Sequence, residues 1–209
     1  MSITPPTYPM RPSTGGHLND LASPPIGVWD WQPKANDWRM LVHLPSGSFF
    51  NRQGEPLSIA DTFDDALGIL RQRFHREPIH GGGGLGGLWL DCLGIGRRTP
   101  IGKGSIFVID LPEMDATFRE RDNRIKFLLP TLNIEDKPRE RIVYSMPTYW
   151  SMDMTALHNL WIKLQKINTE FGCEFWEGLV AKRADSRYNL QLTSPEQKSS
   201  AWIKYRFIH

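Results

Sequence analysis

Apolar residues return every three or four positions along three stretches of the chain and alternate or run together along several shorter ones. Phe63, Ala66, Leu67, Leu70 and Phe74 keep helical spacing, which predicts an amphipathic helix over 61–77. Leu157, Leu160, Trp161, Leu164 and Ile167 form a second stripe and predict a helix over 152–171, with Gly172 placed to end it in a left-handed cap. A third helix is expected around 115–129, with Phe118, Ile125 and Leu128 inward. Strands are predicted over 26–31, 38–44, 48–51, 88–93, 105–111, 141–145, 177–182 and 201–207, the second and third joined through Pro45-Ser46-Gly47 as a hairpin. Clustered strands with helices between them predict an α+β fold with antiparallel sheets.

The first 25 residues hold Pro5, Pro6, Pro9, Pro12, Pro24 and Pro25 among serines, threonines and glycines. Proline fixes φ and lacks an amide donor, so 1–25 is expected to be an extended or poorly ordered leader, with the folded domain over 26–209. At 209 residues, 40% hydrophobic and 23% charged, the chain fits one packed domain and excludes global disorder. The 25 lysines and arginines against 23 acids leave a net charge of +2, which excludes a polybasic tail and leaves a local basic groove open. Two cysteines, Cys92 and Cys173, exclude a disulfide scaffold and a four-cysteine zinc site. No apolar run approaches the ~20 residues of a membrane span, and no signal-peptide pattern opens the chain, so a cytoplasmic protein without a membrane partner is expected.

Several motif-like stretches fail on spacing. Gly96 to Ser105 resembles a phosphate-binding loop, but five residues separate Gly96 from Gly102 and Lys103 is followed by Gly104. It reads as a hairpin connection. Gly94-Ile95-Gly96 lacks the third glycine of a dinucleotide fingerprint, and His75 and His80 have no acidic or cysteine partner nearby for a metal. The cluster Gly81–Gly84 with Gly86 and Gly87 reads as a loop.

Five short segments carry more together than any does alone. Lys34-Ala35-Asn36-Asp37-Trp38-Arg39 is expected at the start of a strand, and Asn51-Arg52-Gln53-Gly54 in the turn after the next one. Trp89-Leu90-Asp91-Cys92-Leu93 precedes Ser105-Ile106-Phe107-Val108-Ile109-Asp110. Glu177-Gly178-Leu179-Val180-Ala181-Lys182 and Trp202-Ile203-Lys204-Tyr205-Arg206 complete the series. The set resembles the nucleotidyltransferase motifs of the covalent ligase and capping-enzyme superfamily, in that family's order. Lys34 and Arg39 keep the first and last positions of Lys-x-Asp-Gly-x-Arg, Asn51–Gly54 is similar to the Ser-Arg-x-Gly turn, and Glu177–Lys182 matches Glu-Gly-[hydrophobic]-Val-x-Lys. The final segment resembles Trp-x-Lys-x-Lys. From Glu177 to Tyr188 the wording is similar to bacterial and viral ATP-dependent DNA ligases, and Arg119 to Arg124 resembles a Glu-Arg-Arg segment of those enzymes.

The resemblance implies the ligase-type nucleotidyltransferase fold over roughly 26–207, with ATP and Mg²⁺ as cofactors and nicked duplex DNA as partner. It implies that Lys34 is the nucleophile that forms lysyl-AMP and that Lys204 meets the α-phosphate. A lysine amine has a free pKa of about 10.4 and attacks only when unprotonated, so the site must lower it by burial and by neighbouring cations such as Lys204 and Arg206. By the same resemblance Arg39 and Arg52 orient the nucleotide and the nick's 5′-phosphate, Asp91 approaches the ribose, Glu177 supports the metal and Gln32 reads adenine. The adenine-stacking position aligns with Ile109; Phe107 lies two residues away on the same strand face and is the expected platform. Lys182, Arg183 and Arg187 are expected to contact DNA, with salt-sensitive affinity. Taken singly, Lys34 reads as a strand-end lysine, Phe107 as core, and Glu177 with Lys204 as a cross-strand ion pair.

Departures from the family pattern include Asp37, Asp91 and Arg206. Asp37 replaces the motif glycine, so Asp37→Gly is expected to hold or raise adenylylation. Asp91 shortens a glutamate by one methylene, and Arg206 exchanges a lysine's point donor for a planar fork. Family ligases continue into an OB-fold domain, whereas this sequence stops three residues after Arg206, so such a domain is expected to be lost by truncation or supplied in trans. The other readings of the same residues are an RNA ligase or capping-type nucleotidyltransferase, and a catalytically weakened nucleotide- or nick-binding module.

Overall fold

The computed structural model of the chain describes residues 4–21, 23–74 and 88–207. His75, His80, the glycine cluster and the last turn of the first expected helix lie outside these residues. In chain order the elements are β1 (Arg11–Gly16), a 3-10 turn (Leu18–Asp20), β2 (Trp29–Ala35), β3 (Trp38–His43), β4 (Ser48–Phe50), β5 (Pro56–Leu57), α1 (Ala60–Phe74), β6 (Trp89–Gly94), β7 (Ile106–Asp110), α2 (Phe118–Leu128), β8 (Val143–Ser145), β9 (Tyr149–Trp150), α3 (Met154–Phe171), β10 (Trp176–Arg183) and β11 (Lys198–Arg206). They build a five-stranded sheet, β1-β11-β10-β2-β9, and a six-stranded sheet, β5-β4-β3-β6-β7-β8. The β1–β11 and β7–β8 pairs run parallel and the other ladders antiparallel, so the expected α+β architecture is present.

Each helix covers one sheet with the stripe its spacing requires. Leu157, Leu160, Trp161, Leu164 and Ile167 of α3 pack on Trp31, Trp176 and Leu179 of the first sheet. Phe63, Ala66, Leu67, Leu70 and Phe74 of α1 join Ile125 and Leu128 of α2 against Met40, Val42 and Leu90 of the second. Local chemistry sets the helix ends. Thr117 and Glu120 form a reciprocal capping box at α2, and Asp153 caps α3 by accepting from the amide of Ala156. Gly172 closes α3 at φ 69°, the left-handed cap that glycine adopts without a Cβ clash.

Two local departures from expectation position the site. The segment from Lys34 to Arg39 does not open a strand: Lys34 is the last residue but one of β2 in one sheet, and Arg39 lies in β3 in the other. Asn36 and Asp37 make the crossing, so the two sheets diverge from this point and leave a cleft between them.

The leader is extended, as its prolines require, but its described part belongs to the fold. β1 runs beside β11 as an edge strand, the one sheet position where Pro12 can lack an amide without breaking a ladder. Met10 and Leu18 are buried at 1% and 0% exposure, and Leu18 joins the core under α3. In contrast Ile26, expected to begin the first strand, is fully exposed; the strand starts at Trp29, after Gly27 turns the chain at φ 111°. Burying a leucine fully contributes roughly 1.5–3 kcal/mol, and emptying its site adds a cavity cost. Leu18→Ala is therefore expected to lower unfolding free energy by about 2–5 kcal/mol in urea titration. A separate, unpacked leader would show no change.

Candidate functional site

A cavity of about 200 Å³ opens in the cleft between the sheets, at the β2–β3 crossing. Strand alternation decides what faces it from two strands. On β10 Val180 and Lys182 line it, and on β11 Trp202, Lys204 and Arg206, all at every second position, while β2 lines it with the consecutive residues Gln32, Pro33, Lys34 and Ala35. Leu179, Ala181 and Tyr205, on the alternate face, sit in the core under α3. The second sheet contributes Arg39 from β3, Leu93 from β6, Ile109 from β7 and Arg52 from the turn after β4.

Glu177 is out of phase with Val180 and Lys182 and would share the core face in a regular strand. The β2–β10 register shifts between Trp176 and Gly178, and this bulge turns Glu177 toward Lys34. Its carboxylate contacts the Lys34 amine and lies 3.5 Å from Arg206 Nη2, both on Oε1. The cross-strand pair considered for Glu177 and Lys204 is thus made with Lys34 and Arg206 instead. Gly178 is required here: at φ 145° a Cβ would lie 2.0 Å from the Tyr205 carbonyl oxygen.

Burial lowers the Lys34 amine to a pKa of about 7, helped by the charges of Arg206, Lys204, Arg39 and Arg98. Lys182 is lowered to about 8, burial outweighing the stabilising carboxylates of Asp110 and Asp91. Lys204 is lowered by burial and by Arg206, Arg11, Lys198 and Arg52. Among the described residues, no carboxylate pairs with Lys204, Arg52 or Arg98. The cavity therefore combines one amine poised near neutrality with cations that lack anions, an arrangement suited to a polyanionic ligand.

Several residues singled out from the sequence occupy other places than expected. Asp91 is fully buried and does not line the cavity. Arg39 grips it with Nε at 3.0 Å and Nη2 at 2.5 Å, and the Tyr188 hydroxyl donates to it at 2.7 Å. The remaining Arg39 nitrogen, Nη1, donates to the Met10 carbonyl, so Arg39 lines the cavity with each of its three nitrogens in a hydrogen bond. Phe107 is not a stacking platform: it is fully buried between Tyr144 and Phe175. It shares a strand face with Ile109, but only Ile109 reaches the cavity, facing Val180, Leu93 and Met146 as an apolar slot.

Lys182 is no surface contact for DNA. It is 1% exposed, donates to the Ile109 carbonyl at 2.8 Å and lies 3.9 Å from the Trp202 ring centre. Arg183 and Arg187 are exposed, paired with Asp185 and Asp115. Gln32 is buried, and its amide donates to Thr148 at 3.0 Å and Asp122 at 3.3 Å.

Asp37 does not confront the cavity's ligand space as a free carboxylate. Its oxygens accept from the amides of Gly96 at 2.8 Å and Arg97 at 3.2 Å and from the Thr99 hydroxyl at 3.3 Å. Buried Asp110 and Arg121 form a bidentate pair beneath Lys182, at 2.5 and 3.1 Å. That pair went unremarked in the sequence, although Arg121 falls on the inward stripe of α2 between Phe118 and Ile125. A charge at such a position signals a buried partner. Tyr188 and Met10 carried no comparable signal.

No family model and no curated protein matches this sequence. Solved structures do match its fold. The ligase domain of LigD from M. tuberculosis superposes with a TM-score of 0.58 at 15% identity, over 96% of this chain and 59% of that one. Chlorella virus DNA ligase-adenylate gives 0.54 at 12% identity, over 97% and 68%. The ATP-dependent DNA ligase of bacteriophage T7 in complex with ATP gives 0.54 at 14% identity, over 95% and 68%. The chain thus spans about six-tenths of the length of the LigD ligase domain. Two divergent sheets around a cationic cleft, matched over nearly every residue, give this chain the fold of the adenylation domains of ATP-dependent DNA ligases.

Proposed function

We propose that this protein is the adenylation domain of an ATP-dependent polynucleotide ligase, forming lysyl-AMP at Lys34 and passing AMP to the 5′-phosphate of nicked duplex DNA before the strand is sealed. The observation that carries the reading is the Lys34 amine, lowered to about 7 in a cavity whose lining also holds Lys204 and Arg52, which no carboxylate among the described residues meets. An unprotonated amine beside a phosphate-sized cationic space is what nucleotidyl transfer to lysine requires.

The proposed reaction uses this geometry. The adenine enters the apolar slot of Ile109, Val180, Leu93 and Met146, with the Gln32 amide at its edge. Lys204 and Lys182 meet the α-phosphate from β11 and β10. The Lys34 nitrogen bonds to the α-phosphorus, the bond to the bridging oxygen breaks, and pyrophosphate leaves. The proton lost from the amine has Glu177 as its nearest acceptor. In the second step a 5′-phosphate oxygen attacks the same phosphorus and frees Lys34. Arg52, at the rim without an anionic partner among the described residues, is better placed to hold that phosphate than Arg39, whose charge is already met by Asp91. Arg183 and Arg187 are the exposed cations available to the DNA backbone, exchanging intramolecular carboxylates for phosphates.

Mg²⁺ fits the site as an ion carried largely by phosphate oxygens, since it takes one or two protein carboxylates and keeps several other ligands. Glu177 would hold it: both cations on that side chain sit at Oε1, and among the described residues no cluster of three metal-type side chains occurs. Bound there, it would neutralise phosphate charge.

Intact-mass spectrometry after incubation with ATP and Mg²⁺ is expected to show one added AMP, absent in Lys34→Ala with circular dichroism unchanged. A labelled Lys34→Ala would move the nucleophile elsewhere. The initial adenylylation rate is expected to rise about tenfold per pH unit up to roughly pH 7 and then level off, because a lowered lysine pKa makes the reactive neutral form dominant above it. A rise continuing to pH 10 would show an unperturbed amine. Phe107→Leu should lower stability by roughly 1–2 kcal/mol with ATP affinity retained, whereas Ile109→Ala should weaken ATP binding. Calorimetry on both variants reads the difference.

A further inference from the structure

We propose that Asp37 anchors the turn between β6 and β7 so that Arg98 stands beside Lys34 as a second phosphate subsite, for a phosphate group next to the one that is transferred. The inference rests on the nucleotidyl-transfer reading and extends it to residues outside the family's motifs.

The anchor is unusually complete. One carboxylate at the β2–β3 crossing accepts three successive backbone amides, from Gly96, Arg97 and Arg98 at 2.8, 3.2 and 3.4 Å, and the hydroxyl of the buried Thr99. Charge-assisted bonds of this kind are about twice as strong as neutral ones, and together they fix the turn to the segment that carries the nucleophile. Arg98 Nη1 then donates to the Asn36 side-chain oxygen at 3.1 Å, two residues from Lys34. That oxygen is neutral, and no carboxylate among the described residues meets this exposed guanidinium. The neighbouring Arg97 is engaged otherwise, over the Trp38 ring at 5.2 Å.

A guanidinium fork held on a fixed turn, next to the reacting lysine and lacking an anion, matches phosphate geometry and charge. Its charge adds the smallest of the cationic contributions that lower the Lys34 pKa, after burial, Arg206, Lys204 and Arg39. Asp37, which resembled an electrostatic obstacle in the sequence, is in this arrangement a positioning residue. The phosphate has two sources, the β- and γ-phosphates of the nucleotide or the 5′-phosphate of the nick. Both are phosphate monoanions or dianions adjacent to the transferred group.

Arg98→Met and Asp37→Ala test the proposal by binding to the full chain, read by calorimetry with ATP, AMP, and nicked duplexes bearing a 5′-phosphate or a 5′-hydroxyl. If the subsite holds the nucleotide tail, Arg98→Met lowers the affinity for ATP relative to AMP by roughly tenfold, as expected for one charge-assisted contact. If it holds the nick, the same loss falls on the 5′-phosphate duplex relative to the 5′-hydroxyl one. Asp37→Ala is expected to follow Arg98→Met in whichever ratio moves. A merely structural role for Asp37 would weaken ATP and AMP, or both duplexes, alike, and would overturn its assignment. Unchanged ratios in Arg98→Met overturn the subsite, and that variant keeps the anchor intact should Asp37→Ala fail to fold. Failure of the underlying reading shows separately, as a wild-type chain that gains no AMP.

Discussion

The buried pair of Arg39 and Asp91 is the interaction on which the cleft depends. Asp91 is fully buried, so its charge must be met from within the protein. Arg39 meets it with two nitrogens, Tyr188 with a hydroxyl, and the third arginine nitrogen ties the group to the Met10 carbonyl. Met10 in turn donates its amide to the Tyr188 oxygen at 3.1 Å. Four distant parts of the chain therefore converge on one carboxylate: β3 and β6 of the second sheet, the segment after β10, and the leader before β1. Removing one member of such a pair leaves an unmet charge, at a cost of roughly 3–5 kcal/mol, so the cluster constrains the two sheets to one separation.

That separation makes a concentration of positive charge tolerable. Asp91 and Asp110 lie beneath the cavity, where they balance Arg39, Arg121 and Lys182, while Lys204 and Arg52 have no carboxylate partner among the described residues. Burial is the largest cause of the lowered pKa values of Lys34, Lys182 and Lys204, and neighbouring cations add to it at Lys34 and Lys204. Lys34 is lowered although Glu177 touches it, which shows how strongly burial and its four cationic neighbours act together.

Much of this architecture was legible in the sequence because periodicity and spacing report it directly. The helices α1, α2 and α3 follow from apolar stripes, and the Gly172 cap follows from glycine's access to positive φ. Lys34, Arg39, Arg52, Glu177, Lys204 and Arg206 lie far apart in the chain, and the fold brings them around one cleft. What sequence reasoning misplaced shares a physical cause: a strand's period of two gives the face of a residue but not its depth. Phe107 and Ile109 have the same face, and only their distance from the cleft separates core from lining. Lys182 reads as a surface cation until its neighbours Trp202 and Asp110 are seen. The strand within the leader is not legible because proline signals the absence of a ladder amide, and an edge strand needs that amide on one side only.

The charge balance also constrains how such a site handles a nucleotide. A bound polyphosphate is an opposite charge, and by itself it would push the Lys34 amine back toward its protonated, unreactive form. That effect is contained only if the phosphates are met by other cations that stay charged. Arginines do so at any pH where the lysine is neutral, and the cavity lining supplies them in Arg52 and Arg206, with Arg98 on the turn that meets Asn36. The replacement of a lysine by Arg206 and of a glycine by Asp37 are then two parts of one arrangement. Arg206 keeps its charge whatever the amine does, and Asp37 spends its own charge on backbone amides, leaving the guanidinium it positions free for phosphate.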